Sequence, residues 1–213
     1  MVTTHGVETA LNLVGILAFA LSGALLGVRR QFDIVGMAVL ATVTAIGGGI
    51  IRDVMIGAVP PAALNNPSWL ILPLVATLLT FRWHPQVRRM HRAVELFDAV
   101  GLGVFCATAT VKAIEYGVHP LASVLLGCIT GVGGGLIRDV LAGVTPAVLR
   151  KDPRLYVVPA VVGCATVAIA SSFGPVSIWV QAAGALVIVA LRGLALWRGW
   201  TAPVPRMFDS RGD

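Results

Sequence analysis

The sequence predicts an all-α membrane protein of seven transmembrane helices. They form two inverted three-helix repeats and a seventh helix, with the second and fifth helices broken at a triple glycine. Three observations carry this expectation. The 213 residues are 57% hydrophobic and only 12% charged, with a mean hydropathy of +0.87, too apolar for a water-soluble domain. Seven apolar runs approach the roughly 20 residues that a bilayer-spanning helix needs. Finally, "GGGIIRDVMIG", Gly47 to Gly57, returns as "GGGLIRDVLAG", Gly133 to Gly143.

The candidate spans are residues 10–27, 34–57, 67–81, 96–115, 121–143, 155–173 and 175–197. The third is short. The first lacks a basic leader, and its apolar run is long for the core of a signal peptide, so it reads as a retained helix. Arg29, Arg30, Arg82, Arg88, Arg89, Arg92, Arg150, Lys151, Arg154, Arg198, Arg206 and Arg211 fall in alternate connections and the C-terminal tail. Under the positive-inside rule this asymmetry puts the N-terminus outside and the C-terminus in the cytoplasm, as expected of a multi-pass protein of a bacterial or archaeal inner (plasma) membrane. The basic run from Arg82 to Arg92 has no aromatic stacking platform, so it predicts contact with anionic membrane lipids and no nucleic-acid partner. The closing RGD lies on the cytoplasmic tail, out of reach of adhesion receptors.

The repeat runs without a gap. An offset of 86 residues pairs Gly15 with Gly101, Phe19 with Phe105, Thr44 with Thr130, Pro60 with Pro146, Pro67 with Pro153 and Pro73 with Pro159. This is a duplication. Three spans per copy is an odd number, so the second copy enters the membrane upside down relative to the first. The expected units are residues 8–83, 94–169, the seventh helix 175–197 and the tail 198–213.

Gly47, Gly48 and Gly49 fall near the middle of the second span, and Gly133, Gly134 and Gly135 near the middle of the fifth. Each glycine weakens a helix by roughly 1 kcal/mol relative to alanine. Broken spans related by inversion commonly form an ion or substrate site, so these six glycines are expected to line a constriction. The alternative is that they let two helices cross closely.

Arg52, Asp53, Arg138 and Asp139 follow. Ionisable side chains near a helix centre are costly and should face the interior of the bundle or water. If each helix restarts after its glycines, Asp53 and Asp139 occupy first turns, where the helix dipole favours a carboxylate. At 1.5 Å per residue the pairs lie about 6 to 8 Å from the midplane on opposite sides. Ion pairs exchanged between copies, Arg52 with Asp139 and Arg138 with Asp53, would then span roughly 12 to 15 Å. The expectation is one charged vestibule on each side of the constriction.

Lys112 on the fourth span is the remaining intramembrane cation. It either snorkels to the outer face or points into the pathway. In the second case it must withdraw toward Glu115 or backbone carbonyls when the path conducts, because two unit charges 4 Å apart repel by about 4 kcal/mol at an effective dielectric constant of 20. That assigns it a gating role. Arg192 is expected to anchor the last span in the headgroups. Ser22, Thr42, Thr44, Thr108, Thr110 and Thr130 either line a wet path or bond to carbonyls of their own helices. Cys106, Cys128 and Cys164 lack metal or disulfide spacing and read as small buried residues. No metal or cofactor is expected. His5, His84, His91 and His119 fall in tails or loops, and no nucleophile–base pair appears, so no enzyme is expected.

Two gapless three-helix repeats, each with "GGG…IRD" on its middle helix, and a following seventh helix resemble the prokaryotic members of the trimeric intracellular cation (TRIC) channel family. The resemblance covers about residues 8–197. It implies a homotrimer with a separate path for monovalent cations, K⁺ and Na⁺, through each protomer. Animal members carry Lys-Glu-Val on the fourth helix. Lys112 matches the lysine, but Ala113 and Ile114 follow it, which departs from the pattern associated with phosphoinositide control. The family also resembles bacterial proteins labelled glycine transporters. This leaves a second reading, in which an Arg-Asp pair holds a small zwitterion such as glycine and the repeats alternate access.

Overall fold

The structure, a computed structural model, describes residues 2–87, 91–150, 155–174 and 177–201, with side chains described for 9–83, 92–150, 155–174 and 177–201. The side chains of His5, His84, Arg88, Arg89, His91, Lys151 and Arg154, and the tail 202–213 with Arg206, Arg211 and the RGD, lie outside these residues.

The helices are α1 (Val2–Arg29), α2 (Ile34–Met55), α3 (Ala62–Asn65), α4 (Pro67–Val87), α5 (His91–Glu115), α6 (Pro120–Leu141), α7 (Val157–Ser171) and α8 (Ile178–Arg198), with a 3₁₀ turn at Ala147–Leu149. Five of them, α1, α2, α5, α6 and α8, are long and apolar enough to cross a bilayer, and Pro67–Trp83 of α4 and Val157–Ser171 of α7 are shorter apolar stretches. Trp179 and Trp197 stand exposed near the two ends of α8. Their 18-residue separation rises about 27 Å, close to the thickness of a hydrocarbon core, with indole rings suited to both interfaces.

The start and stop signals of α2 and α6 match their chemistry. The Asp33 carboxylate accepts from the Gly36 N–H at 2.7 Å at the start of α2, and Pro120 opens α6 after His119. Both helices close the same way. Ala58 N donates to the Asp53 carbonyl at 2.8 Å and Val144 N to the Asp139 carbonyl at 2.9 Å. Gly57 (φ 73°) and Gly143 (φ 63°) occupy the left-handed position that such a helix end reserves for glycine.

The expected breaks at the glycines are not there. Helical hydrogen bonding continues through Gly47 to Gly49 and through Gly133 to Gly135. The glycines serve a close crossing instead. A Cβ on Gly48 would overlap the Thr130 carbonyl oxygen, and one on Gly134 would lie 2.5 Å from the Thr44 carbonyl oxygen. The contacts pair rising numbers on α2 with falling numbers on α6, so the two helices cross antiparallel. As a result Asp53 and Asp139 lie in last turns, at opposite ends of the crossing, and not in the first turns of restarted helices.

The core follows the 86-residue offset. Phe19 of α1 and Phe105 of α5 stack with ring centroids 5.3 Å apart and planes 14° apart. Gly15 and Gly101 make room for those helices, since a Cβ on Gly101 would enter the Phe19 ring and one on Gly15 would lie 2.9 Å from Val104. On the far side of α5, Gly103 accommodates the Ala185 carbonyl of α8, while Gly163 of α7 accommodates Ile188 of α8. Small residues let these backbones approach where lipid gives no hydrophobic drive between helices.

Gly48→Ala and Gly49→Ala should separate crossing from helix propensity. An alanine gains about 1 kcal/mol of propensity at either position. At Gly49 the nearest atom to the new methyl is 3.9 Å away, so this variant should be neutral or more stable. Gly48→Ala should be destabilised by about 1 to 3 kcal/mol through overpacking. Unfolding midpoints in detergent measure both, and equal midpoints would refute the crossing argument.

Candidate functional site

The last turn of α2 holds the first charged cluster. Arg52 Nε and Nη2 both donate to Asp53 Oδ1, at 2.9 and 2.8 Å. Lys112 Nζ from the last turn of α5 reaches the same oxygen at 2.7 Å. Asp53 Oδ2 accepts from the Ala62 N–H at 2.9 Å, tying the helix to the start of α3. Arg52 is 4% exposed and Asp53 1%, so the carboxylate is dry and counter-charged twice. A cavity of about 10 Å³ adjoins this cluster, lined by Gly49, Arg52, Asp53, Ala63 and Trp69 among others. It has room for about one water. Lys112 is held by Asp53, a partner 59 residues away, with the Tyr116 ring 5.8 Å from its Nζ.

The last turn of α6 repeats the plan with different partners. Arg138 Nε and Nη2 donate to Asp139 Oδ1 at 2.9 and 2.8 Å, and Asp139 Oδ2 accepts from the Ala147 N–H at 2.9 Å. Arg138 Nη1 also donates to Asp98 Oδ1 at 2.8 Å and to the hydroxyl of Ser22. That hydroxyl itself donates to the Val94 carbonyl at 3.1 Å. Arg150, 45% exposed in its side chain, approaches Asp139 Oδ2 to 3.7 Å. A cavity of about 240 Å³ opens here, lined by Leu26, Arg29, Glu95, Asp98, Arg138, Asp139, Arg150 and Arg192 among others.

The ends therefore differ in balance. One buried carboxylate holds two cations at the Asp53 end, and one buried guanidinium joins two carboxylates at the Asp139 end. The substitutions responsible fall at equivalent positions of the repeat: Lys112 corresponds to Leu26, Asp98 to Asn12 and Arg150 to Leu64.

Among the hydroxyls, Thr44, Thr108, Thr110 and Thr130 donate to the carbonyls of Leu40, Val104, Cys106 and Leu126, four residues back on their own helices. Thr42 is half-buried. Ser22 instead bonds to other helices, through the Val94 carbonyl and Arg138. Cys106, Cys128 and Cys164 are free and buried. Cys128 and Cys164 stand with sulfurs 3.9 Å apart, a proximity that their spacing of 36 residues does not suggest. Arg192 is not a headgroup anchor. It is buried, its guanidinium lies 4.7 Å from the centroid of the Tyr156 ring, and it donates to the Leu155 carbonyl at 3.2 Å. The aromatic ring accommodates a charge that the position of Arg192 near a helix end had suggested would seek water. Among the described residues no group of three His, Cys, Asp or Glu could hold a metal.

Sequence reasoning missed Asp98, Ser22 as a partner of Arg138, Tyr156 and the short elements that Asp53 and Asp139 brace. Asp98 carried a usable signal, because a carboxylate inside an apolar span is expensive and needs a partner.

The family described as "Glycine transporter" matches the chain twice, over residues 9–85 and 95–172. A "UPF0126 membrane protein" of Deinococcus radiodurans is 41% identical over 198 residues, covering 92% of this chain and 91% of its own. The "UPF0126 inner membrane protein YadS" of Escherichia coli K12 is 40% identical over 154 residues, covering 72% and 73%. A TRIC trimeric intracellular cation channel orthologue from Rhodobacter sphaeroides superposes with a TM-score of 0.84 at 30% identity, over 90% of this chain and 98% of that one. This chain is a prokaryotic member of the TRIC family. A further prokaryotic TRIC channel, solved in 0.5 M KCl, superposes at 0.85 with 29% identity, over 91% and 98%.

The two arginines should differ in their contribution to stability. Arg138→Met strands two buried carboxylates and should cost about 3 to 5 kcal/mol, the range for breaking a buried pair. Arg52→Met leaves Lys112 on Asp53 and should cost less. Unfolding midpoints of the two variants in the same detergent test the order, and an Arg52 variant at least as damaged as the Arg138 variant would contradict it.

Proposed function

We propose that the chain is a monovalent cation channel for K⁺ and Na⁺, with an ion path through each protomer of a homotrimer. One observation carries this reading. Two buried charged clusters, each beside its own cavity, lie at opposite ends of an antiparallel helix crossing that leaves no room for a Cβ on Gly48 or Gly134. The likeness to solved trimeric intracellular cation channels, one of them studied for conductance, supports it. In this reading Gly47 to Gly49 and Gly133 to Gly135 form the constriction, and the Arg52–Asp53 and Arg138–Asp139 pairs stand at its mouths.

The remaining architecture belongs to the same proposal. Residues 8–83 and 94–169 are inverted repeats, a reading supported by the antiparallel crossing and the double family match. Seven helices span an inner (plasma) membrane, with the N-terminus outside and the Asp139 end cytoplasmic. The polar groups serve passage and not catalysis.

Reconstitution in planar bilayers under a KCl gradient tests the channel. Unitary currents reversing near the K⁺ potential are expected. Saturable glycine uptake without unitary current would instead establish the second reading, alternating-access transport of a small zwitterion, which the mixture of arginine and carboxylate around the 240 Å³ cavity also accommodates. Within the channel reading, Asp53→Asn and Asp139→Asn should lower conductance and weaken cation preference, most at low salt where screening is least. Lys112→Ala should raise open probability or flatten its voltage dependence, since one charge crossing the whole field contributes roughly 2.3 kcal/mol per 100 mV. Gating identical to the parent at every voltage would remove Lys112 from the gate.

A further inference from the structure

We infer that one position of the repeat, occupied by Lys112 in the second copy and Leu26 in the first, decides which mouth of the path is shut. Leu26 is therefore the residue that keeps the Asp139 mouth open. The inference rests on reading α2 and α6 as walls of the path.

The two ends share a frame, so their difference needs a local cause. At each end an arginine closes onto its neighbouring aspartate with matching distances, and the aspartate's second oxygen holds the next segment. Yet the cavity is about 10 Å³ at the Asp53 end and about 240 Å³ at the Asp139 end. At the small cavity Lys112 brings an ammonium from α5 onto Asp53, linking the second copy to the first. At the large cavity the equivalent residue, Leu26 of α1, lines the wall beside Asp139 and packs on Leu40 and Ala142. It offers no charge to the carboxylate.

Arg29, Glu95 and Arg192 also line that cavity, but the ion pairs of Asp139 among the described residues are with Arg138 and Arg150. Arg150 reaches Asp139 only to 3.7 Å and stays half exposed. Asp98 engages Arg138, not Asp139. Among the described residues, only the Asp53 mouth thus has a cation from the opposite copy seated on its aspartate. A lysine at position 26 would stand on the wall of the cavity that the buried Asp139 carboxylate also lines, and its stem would follow the path of the leucine.

Water access to each mouth, read through introduced thiols and a charged methanethiosulfonate reagent, tests this without recording current. Ala63→Cys reports on the Asp53 mouth and Ala147→Cys on the Asp139 mouth, since these residues line the two cavities. Modification is followed by mass spectrometry of the intact protein in detergent, against the parent with its three buried cysteines. In the parent background the A147C thiol should react much faster than the A63C thiol. L26K should slow A147C modification by about tenfold or more, and K112M should speed A63C modification by a similar factor, as expected when a latch shifts a two-state population. L26M, which keeps the bulk without the charge, should leave A147C as fast as in the parent.

An L26K variant that folds, by its unfolding midpoint, with A147C modification within about twofold of the parent overturns the inference. So does an L26M variant that slows it as much as L26K. If K112M does not fold, the L26K and L26M pair decides alone. A protein that passes these tests but carries no current would refute the channel reading and leave the latch intact.

Discussion

The backbone carbonyls of Thr44 and Thr130 occupy the space that side chains on Gly134 and Gly48 would need. The crossing of α2 and α6 depends on that contact, and the crossing sets the rest. Because it is antiparallel, the two last turns diverge, and the Arg-Asp pairs that end them stand at opposite ends. An intact helix is also the cheaper structure in lipid. A break would release backbone groups that need water or protein partners, whereas a smooth glycine face permits close packing and keeps every hydrogen bond.

Adjacent residues on a helix do not ordinarily face each other, and the Arg-Asp pairs exploit the exception at a helix end. Two nitrogens of each arginine converge on one carboxylate oxygen, leaving the other to receive a backbone N–H of the next segment. Each aspartate is therefore both counter-ion and brace, so neutralising it loosens a connection as well as removing charge. Buried networks of this kind hold together only when each member is satisfied. The surrounding residues divide that work unequally, with a lysine added at one end and a second carboxylate at the other.

Much of this was legible in the sequence, and the failures have specific causes. Apolar runs located the helices to within a few residues at most ends, and the 86-residue offset anticipated which positions play matching roles. The glycines are ambiguous in sequence because one residue type serves both breaks and crossings. The deciding atoms are carbonyl oxygens on a facing helix, which no local pattern reveals. The bond from Lys112 to Asp53 was hidden for a different reason, because the fold alone brings together residues 59 positions apart. The place of Arg192 depended on the Tyr156 ring from another element. Asp98 was different, since its cost inside a span was readable and only its partner was hidden.

The stack of Phe19 on Phe105 has a consequence for descent. These residues occupy one position of the duplicated unit, and they touch each other. Before duplication, two separate copies of a half-length chain meeting in the same way would have placed that side chain against itself, as on the axis of a twofold dimer. Any substitution there would have struck both sides of the contact at once. In one joined chain either phenylalanine can change alone, and here the two still match across the contact that they share.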